Sequence, residues 1–152
     1  MINLKALISI TFITYAGFSH SDETDFYENL IYDNVIQTHY SALIKNASAD
    51  PVIDIRTDSG KTGYITYRFI AEVQHIFKGA SNNQIEYRVT YEAGIKPIIN
   101  NKIQIISLCR SDDNTFYVPG NGYRIDATEK LINIAKQATN KNSSLKNICE
   151  GI

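Results

Sequence analysis

The chain has 152 residues, 43% of them hydrophobic, and a formal net charge of −1, which bounds it to one domain large enough to bury a core. Its basic residues are scattered, so the clustered positive field that nucleic acid requires is missing, and no nucleic-acid partner is expected. No G-x-S-x-G, G-x-x-x-x-G-K-[ST] or G-x-G-x-x-G run occurs, and no H-x-x-x-H or C-x-x-C spacing marks a metal site, so no cofactor is expected either.

The chain opens "MINLKALISITFITYAGFSHS", with one lysine (Lys5) before an uncharged, mostly apolar run from Ala6 to Phe18. A bilayer span needs about 20 apolar residues, so this run fits the core of a secretory signal better than an anchor. Small residues suit cleavage after Ser19, with Ala16 as a second option. The expectation is a signal peptide at 1–19 and a single exported domain at 20–152, periplasmic or extracellular, without a membrane span. No cysteine lies near the cleavage region, which argues against a lipid anchor. Of the 15 basic residues only Lys5 falls in the leader, so 14 remain against 16 acids.

"SDETDFYENLIYDN" opens with acids and spaces Phe26, Leu30 and Ile31 for a short helix. "VIQTHYSALIK" (Val35–Lys45) is rich enough in β-branched and aromatic residues to favour a strand. "NASADP" should break the chain, and "VIDIR" reads as a short strand before the turn-rich "TDSGKTG".

"YITYRFIAEVQHIFK" is the longest strand signal. Its odd positions, Ile65, Tyr67, Phe69, Ala71, Val73, His75 and Phe77, form an almost wholly apolar face. Lys78 would blunt the strand's exposed end, and Gly79 would take the turn. "QIEYRVTYE" alternates again, with Ile85, Tyr87, Val89 and Tyr91 inward. "KIQIISLCR", "FYVPG" and "YRIDA" supply further strands. "TEKLINIAKQA" places Leu131, Ile134, Ala135 and Ala138 on one stripe behind Thr128 as N-cap. The fold class is therefore mostly β: a small antiparallel, OB-like barrel with a short N-terminal helix and a C-terminal helix.

Two cysteines, Cys109 and Cys149, read as a disulfide in an exported chain.

The runs "RFIAEVQHIFKG", "QIEYRV" and "KIQIISLCRSDDNTFYVPGNGYRI" resemble the bacterial exported proteins with a netrin-like, or tissue-inhibitor-of-metalloproteinases-like, oligonucleotide-binding barrel. The likeness covers roughly Asn34 to Ala127 as a pattern of strands. It implies the barrel and a binding role. The animal inhibitors chelate a protease zinc through a mature N-terminal cysteine and carry a dense disulfide framework. Neither is present here, so inhibition of metalloproteinases does not carry over to any residue.

The functional expectation is a non-catalytic module that binds another protein or a cell-envelope ligand, as an inhibitor or accessory. Loop ends of barrels collect binding function, and tyrosine supplies contact area at low entropy cost. The candidate binding residues are Asp112, Asp113, Tyr117, Asn121 and Tyr123. The alternative is a small metal-assisted enzyme. Cleavage after Ser19 would make His20 the mature N-terminus, and His39 or His75 would complete a copper site.

Overall fold

The computed structural model describes residues 21–140 and 147–149, so the leader expected at 1–19 and His20 lie outside the described residues. In chain order the elements are α1 (Ser21–Gln37), β1 (Tyr40–Arg56), β2 (Thr62–Lys78), β3 (Gln84–Glu92), β4 (Ile103–Arg110), β5 (Phe116–Tyr117), β6 (Arg124–Asp126) and α2 (Glu129–Thr139). The chain is mostly β with a helix toward each end, as its periodicities predict.

The sheet closes on itself. β1 pairs with β2, β2 with β3, β3 with β5, β5 with β4, and β4 returns to β1, while β6 adds to β4. Every pairing is antiparallel except the two-residue β3–β5 contact. This five-stranded ring is the OB-like closure expected from the strand pattern.

Two layers of core follow. Inside the ring, Tyr40, Ala42, Ile44, Phe69, Ala71, Tyr87, Ile106 and Leu108 pack together. Outside it, α1 and α2 cover one wall, burying Ile31, Val35, Phe77, Ile105, Leu131 and Ala135. The wall strand β4 is thus covered on both faces, and all of Ile105–Cys109 is buried. That is why "IISLC" reads as a continuous run where a strand wet on one face would alternate. On β3, by contrast, Ile85, Tyr87, Val89 and Tyr91 face the ring core as their alternation predicts.

Three sequence expectations need correction. Val35–Lys45 is not one strand, because α1 continues to Gln37 and β1 starts at Tyr40. Ile31 and Val35 lie one helical turn apart and are buried against α2 and Phe77, and that burial outweighs the β propensity of Val35 and Ile36. The N-terminal helix is correspondingly longer than expected, at 17 residues.

The run "NASADP" does not break the chain either; it lies inside the 17-residue β1. β1 has β4 as a neighbour only as far as Lys45, so Pro51 sits on a free edge where no second ladder needs its missing N–H.

Lys78 has a different task from blunting a strand end. α1 carries no basic residue in its last turn, and Lys78 Nζ reaches across from β2 to donate to the Ile36 carbonyl at 2.6 Å. It thereby satisfies a carbonyl at the negative end of the helix, and burial holds its pKa below the usual lysine value.

The C-terminal helix follows expectation. The Thr128 hydroxyl accepts from the Leu131 amide at 3.3 Å, and Leu131, Ala135 and Ala138 are buried. Cys109 and Cys149 are joined, with their Cα atoms 5.3 Å apart. Beside them the Ile148 amide donates to the Gln37 carbonyl, so the tail is fastened where α1 gives way to β1.

Two measurements check this account. Replacing both cysteines by serine should lower the unfolding free energy by roughly 3–4 kcal/mol, the chain-entropy value for a loop of this size, in urea melts with and without reductant. At Gly79, φ is +102°, and an added Cβ would lie 2.6 Å from Cδ2 of the Tyr40 ring. Gly79→Ala should therefore destabilise by about 2 kcal/mol, whereas Gly60→Ala, strained but in open space, should cost less.

Candidate functional site

The five loop-end candidates do not all play the same part. Ser111 to Thr115 form the β4–β5 turn, and Asn114 takes the left-handed φ of 63°. Asp113 is the post of this turn: it accepts from the Ser111 hydroxyl and the Thr115 amide and lies 3.8 Å from the Arg88 guanidinium. These contacts, the Ser111 hydroxyl first, hold its carboxyl below the usual aspartate pKa. Asp113 thus shapes the turn with the same oxygens it would offer a partner. Asp112 beside it is exposed.

Tyr117 belongs to β5 and pairs with Cys109 on one side and Arg88 on the other. Asn121 and Tyr123 sit in the β5–β6 loop, which is docked on α1. Asn34 Nδ2 donates to the Gly122 carbonyl at 2.9 Å, and Gly122, at φ +87°, lies against Leu30. Tyr123 is half-buried, and burial together with the nearby Asp33 charge raises its hydroxyl pKa.

The histidines separate. His75 is not on the core face that its odd-numbered position suggests. In the β1–β2 ladder Leu43 opposes His75 and Ile44 opposes Val73, so Gln74 is an extra, bulged residue. The bulge reverses the alternation. Ile76 therefore packs on the ring core, while His75 turns outward, exposed, with its ring edge-on to Phe77 at 5.0 Å. His39 lies where β1 begins, and its Nδ1 accepts from the Arg110 amide at 3.0 Å. Among the described residues no three His, Cys, Asp or Glu side chains gather as a metal-holding group.

Two features were not anticipated from the sequence. The first is a polar chain that runs through the ring. The Tyr87 hydroxyl donates to Asn46 Oδ1 at 2.7 Å, Asn46 Nδ2 donates to Gln104 Oε1 at 3.1 Å, and Gln104 Nε2 donates to Asp126 Oδ1 at 2.9 Å. Lys102 closes the chain on Asp126. Beside it the Arg124 guanidinium lies 5.3 Å over the Phe69 ring and donates to the Tyr91 hydroxyl at 2.9 Å. Burial pushes the Tyr87 hydroxyl up to about 12, against the opposing pull of Arg124 and Asn46.

The second is an arm. Beyond Lys45, where its pairing with β4 ends, β1 continues against β2 to a hairpin closed by the Thr57–Lys61 turn, with β3 flanking β2 as far as Tyr64. Pro51 opposes Tyr67 and Ile53 opposes Thr66, which leaves Val52 as another bulged residue. Ile53, Ile55 and Tyr64 then lie exposed, at 44%, 43% and 47%. Ile55 and Tyr64 are direct cross-strand partners. At the base of the arm a cleft of about 570 Å³ runs between Pro51–Asp54, Thr62, Ile65 and Ala93–Gly94. The β3–β4 connection leaves from there and exposes Ile95, Ile98 and Ile99, with Ile98 at 83%. "VIDIR" holds Ile53 and Ile55 and "PIIN" holds Ile98 and Ile99, while Tyr64 and Ile95 lie outside both, and the visible signal was apolar residues in segments bounded by turns.

No protein-family model matches the chain, and no curated protein is significantly similar to it.

The polar chain has a measurable consequence. Below pH 10 the Tyr87 hydroxyl is neutral in both folded and unfolded chains; between pH 10 and about 12 only the unfolded chain loses its proton. Stability should therefore fall as pH rises through that window, by something on the order of 2–3 kcal/mol from this group. Tyr87→Phe should remove this part of the alkaline slope in urea melts. Near pH 7 it should cost about 1–2 kcal/mol by leaving Asn46 Oδ1 unpaired.

Proposed function

We propose that the chain is an exported, non-catalytic binding module that grips another protein of the cell envelope or its surroundings, as an inhibitor or accessory. The observation that carries this reading is the arm with its neighbouring loop: Ile53, Ile55, Tyr64, Ile95, Ile98 and Ile99 all hold apolar surface in water. Ile55 and Tyr64 lie opposite each other across the hairpin, and exposed apolar surface of this kind marks interaction sites. Fully burying one such side chain returns roughly 1.5–3 kcal/mol, so covering several half-exposed ones supplies enough for specific association. The Cys109–Cys149 bond supports an oxidising compartment, and no described helix is long and apolar enough to cross a membrane.

The kinship with netrin-like barrels belongs to the same proposal, supported by the closed ring and its two helices. In this reading the arm and loop form the contact surface. Asp112, exposed at the β4–β5 turn, is a rim residue, while Asp113 and Tyr117 support the turn and strand that carry it.

The test is capture. Oxidised protein lacking residues 1–19 is immobilised, exposed to the native envelope and secreted fractions, and its partners are identified by mass spectrometry. Ile55→Lys with Ile98→Lys should lower recovery of the wild-type partner at least tenfold, since both side chains are exposed and the fold can accept lysine there. Equal recovery by the variant and the wild type would remove the arm from the interface.

A further inference from the structure

Among the described residues no carboxylate lies within ion-pair distance of Arg124. It is half-buried on the inner side of β6, over Phe69, and its nearest polar partners are the hydroxyls of Tyr91 and Tyr87. Several exposed basic residues, such as Arg110 and Lys96, are likewise outside ion pairs among the described residues, but Arg124 is half-buried, whereas the paired Arg56, Lys102 and Lys130 lie at the surface. Asp126 feels its charge, but the carboxylate oxygens of Asp126 are engaged by Lys102 and Gln104. Neutral hydroxyls compensate a desolvated guanidinium only in part, and an anion would complete the set.

Two clefts meet at this residue. One, of about 540 Å³, lies toward α2 and has Asp126 in its wall. The other, of about 200 Å³, is lined by Thr90, Tyr91, Val118, Gly120, Asn121 and Arg124, with no acidic side chain. An anion approaching through the first passes Asp126, whereas Arg124 is the one charged residue among those lining the second. The second cleft is small for a whole metabolite and suits one planar anionic group with a few carbons behind it. The flat fork of arginine matches a carboxylate in two parallel hydrogen bonds, and the apolar faces of Val118 and Tyr91 suit a short aliphatic stem.

We propose that this cleft is a carboxylate-binding site, taking the terminal group of a peptide or a short organic acid against Arg124. The site stands apart from the arm and goes beyond the binding role assigned to it, so each can fail alone. Asn121, at its rim, would act as the neutral polar neighbour that admits the anion.

The experiment titrates isotope-labelled, oxidised protein by NMR with acetate, N-acetyl-trialanine acid, the same peptide as its amide, and inorganic phosphate. The acid should give saturable shifts at Arg124 Nε, Tyr91 and Asn121, and the amide should give none. Acetate binding as tightly as the peptide acid would assign a small organic acid; tenfold tighter binding of the peptide acid would assign a chain terminus. Arg124→Met should abolish the response and Arg124→Lys should weaken it. Should Arg124→Met fail to fold, Asn121→Asp decides, because Asn121 is exposed and the new carboxylate should weaken binding at least tenfold. Equal response to acid and amide, no saturation, tighter binding of phosphate than of either carboxylate, or unchanged affinity in Asn121→Asp would each overturn the proposal.

Discussion

The pairing of β1 with β2 along two 17-residue strands is the constraint on which the rest of the molecule depends. It cannot be regular. Five register shifts interrupt the ladder, each adding local twist and bending the hairpin. A flat sheet of five short-range neighbours would not close, whereas bulged strands coil enough for β4 to reach back to β1. The same irregularities choose which side chains enter the ring. The bulge at Gln74 puts Ile76 inside and His75 outside, and the one at Val52 lies where β1 runs past the ring and Asp50–Arg56 are exposed on both faces.

Closure creates an interior that is not purely apolar. Tyr87, Asn46, Gln104 and Asp126 form a connected path from the ring core to its rim, with each donor finding an acceptor. Buried polar groups cost little when every member is bonded, and such a path favours one register of the sheet over its neighbours. Arg124 differs from these groups because its partners are neutral. The stabilising contacts of the interior and a charge that no described carboxylate pairs therefore lie side by side, at the rim where β6 and the β5–β6 loop meet the helices.

The helical layer is tied down through unrelated devices that all act near one place. Lys78 holds the end of α1, Gly79 allows close approach to Tyr40, and the disulfide fastens the tail beside Gln37. The "FKG" run is a strand end with a turn, as its residues suggest, and it also supplies a helix clamp and a tight contact. By comparison the arm is held by its hairpin pairing, by β3 alongside β2 as far as Tyr64, and by side-chain contacts such as Thr62 to Asp54. The molecule combines a fastened body with a projecting apolar surface, a combination suited to presenting that surface to a partner.

Much of this was legible in the residues alone. The mostly-β class, the inward face of β3, the Thr128 cap and the Cys109–Cys149 pairing follow from alternation, helical spacing, capping chemistry and an even cysteine count. These are local rules, or rest on so few residues that only one solution exists. What the sequence could not decide was parity across a bulge, since the extra residue is defined by the partner strand and leaves no mark of its own. The placing of His75 depends on that, while the exposure of Ile53 and Ile55 and the unbroken course of β1 through Pro51 depend on where β4 stops pairing with β1. In the sequence Arg124 is one residue of the expected last strand "YRIDA". Only the ring, by bringing Phe69, Tyr87 and Tyr91 around it, made it an interior charge, because burial and the lack of a described carboxylate at pairing distance are properties of what the fold assembles.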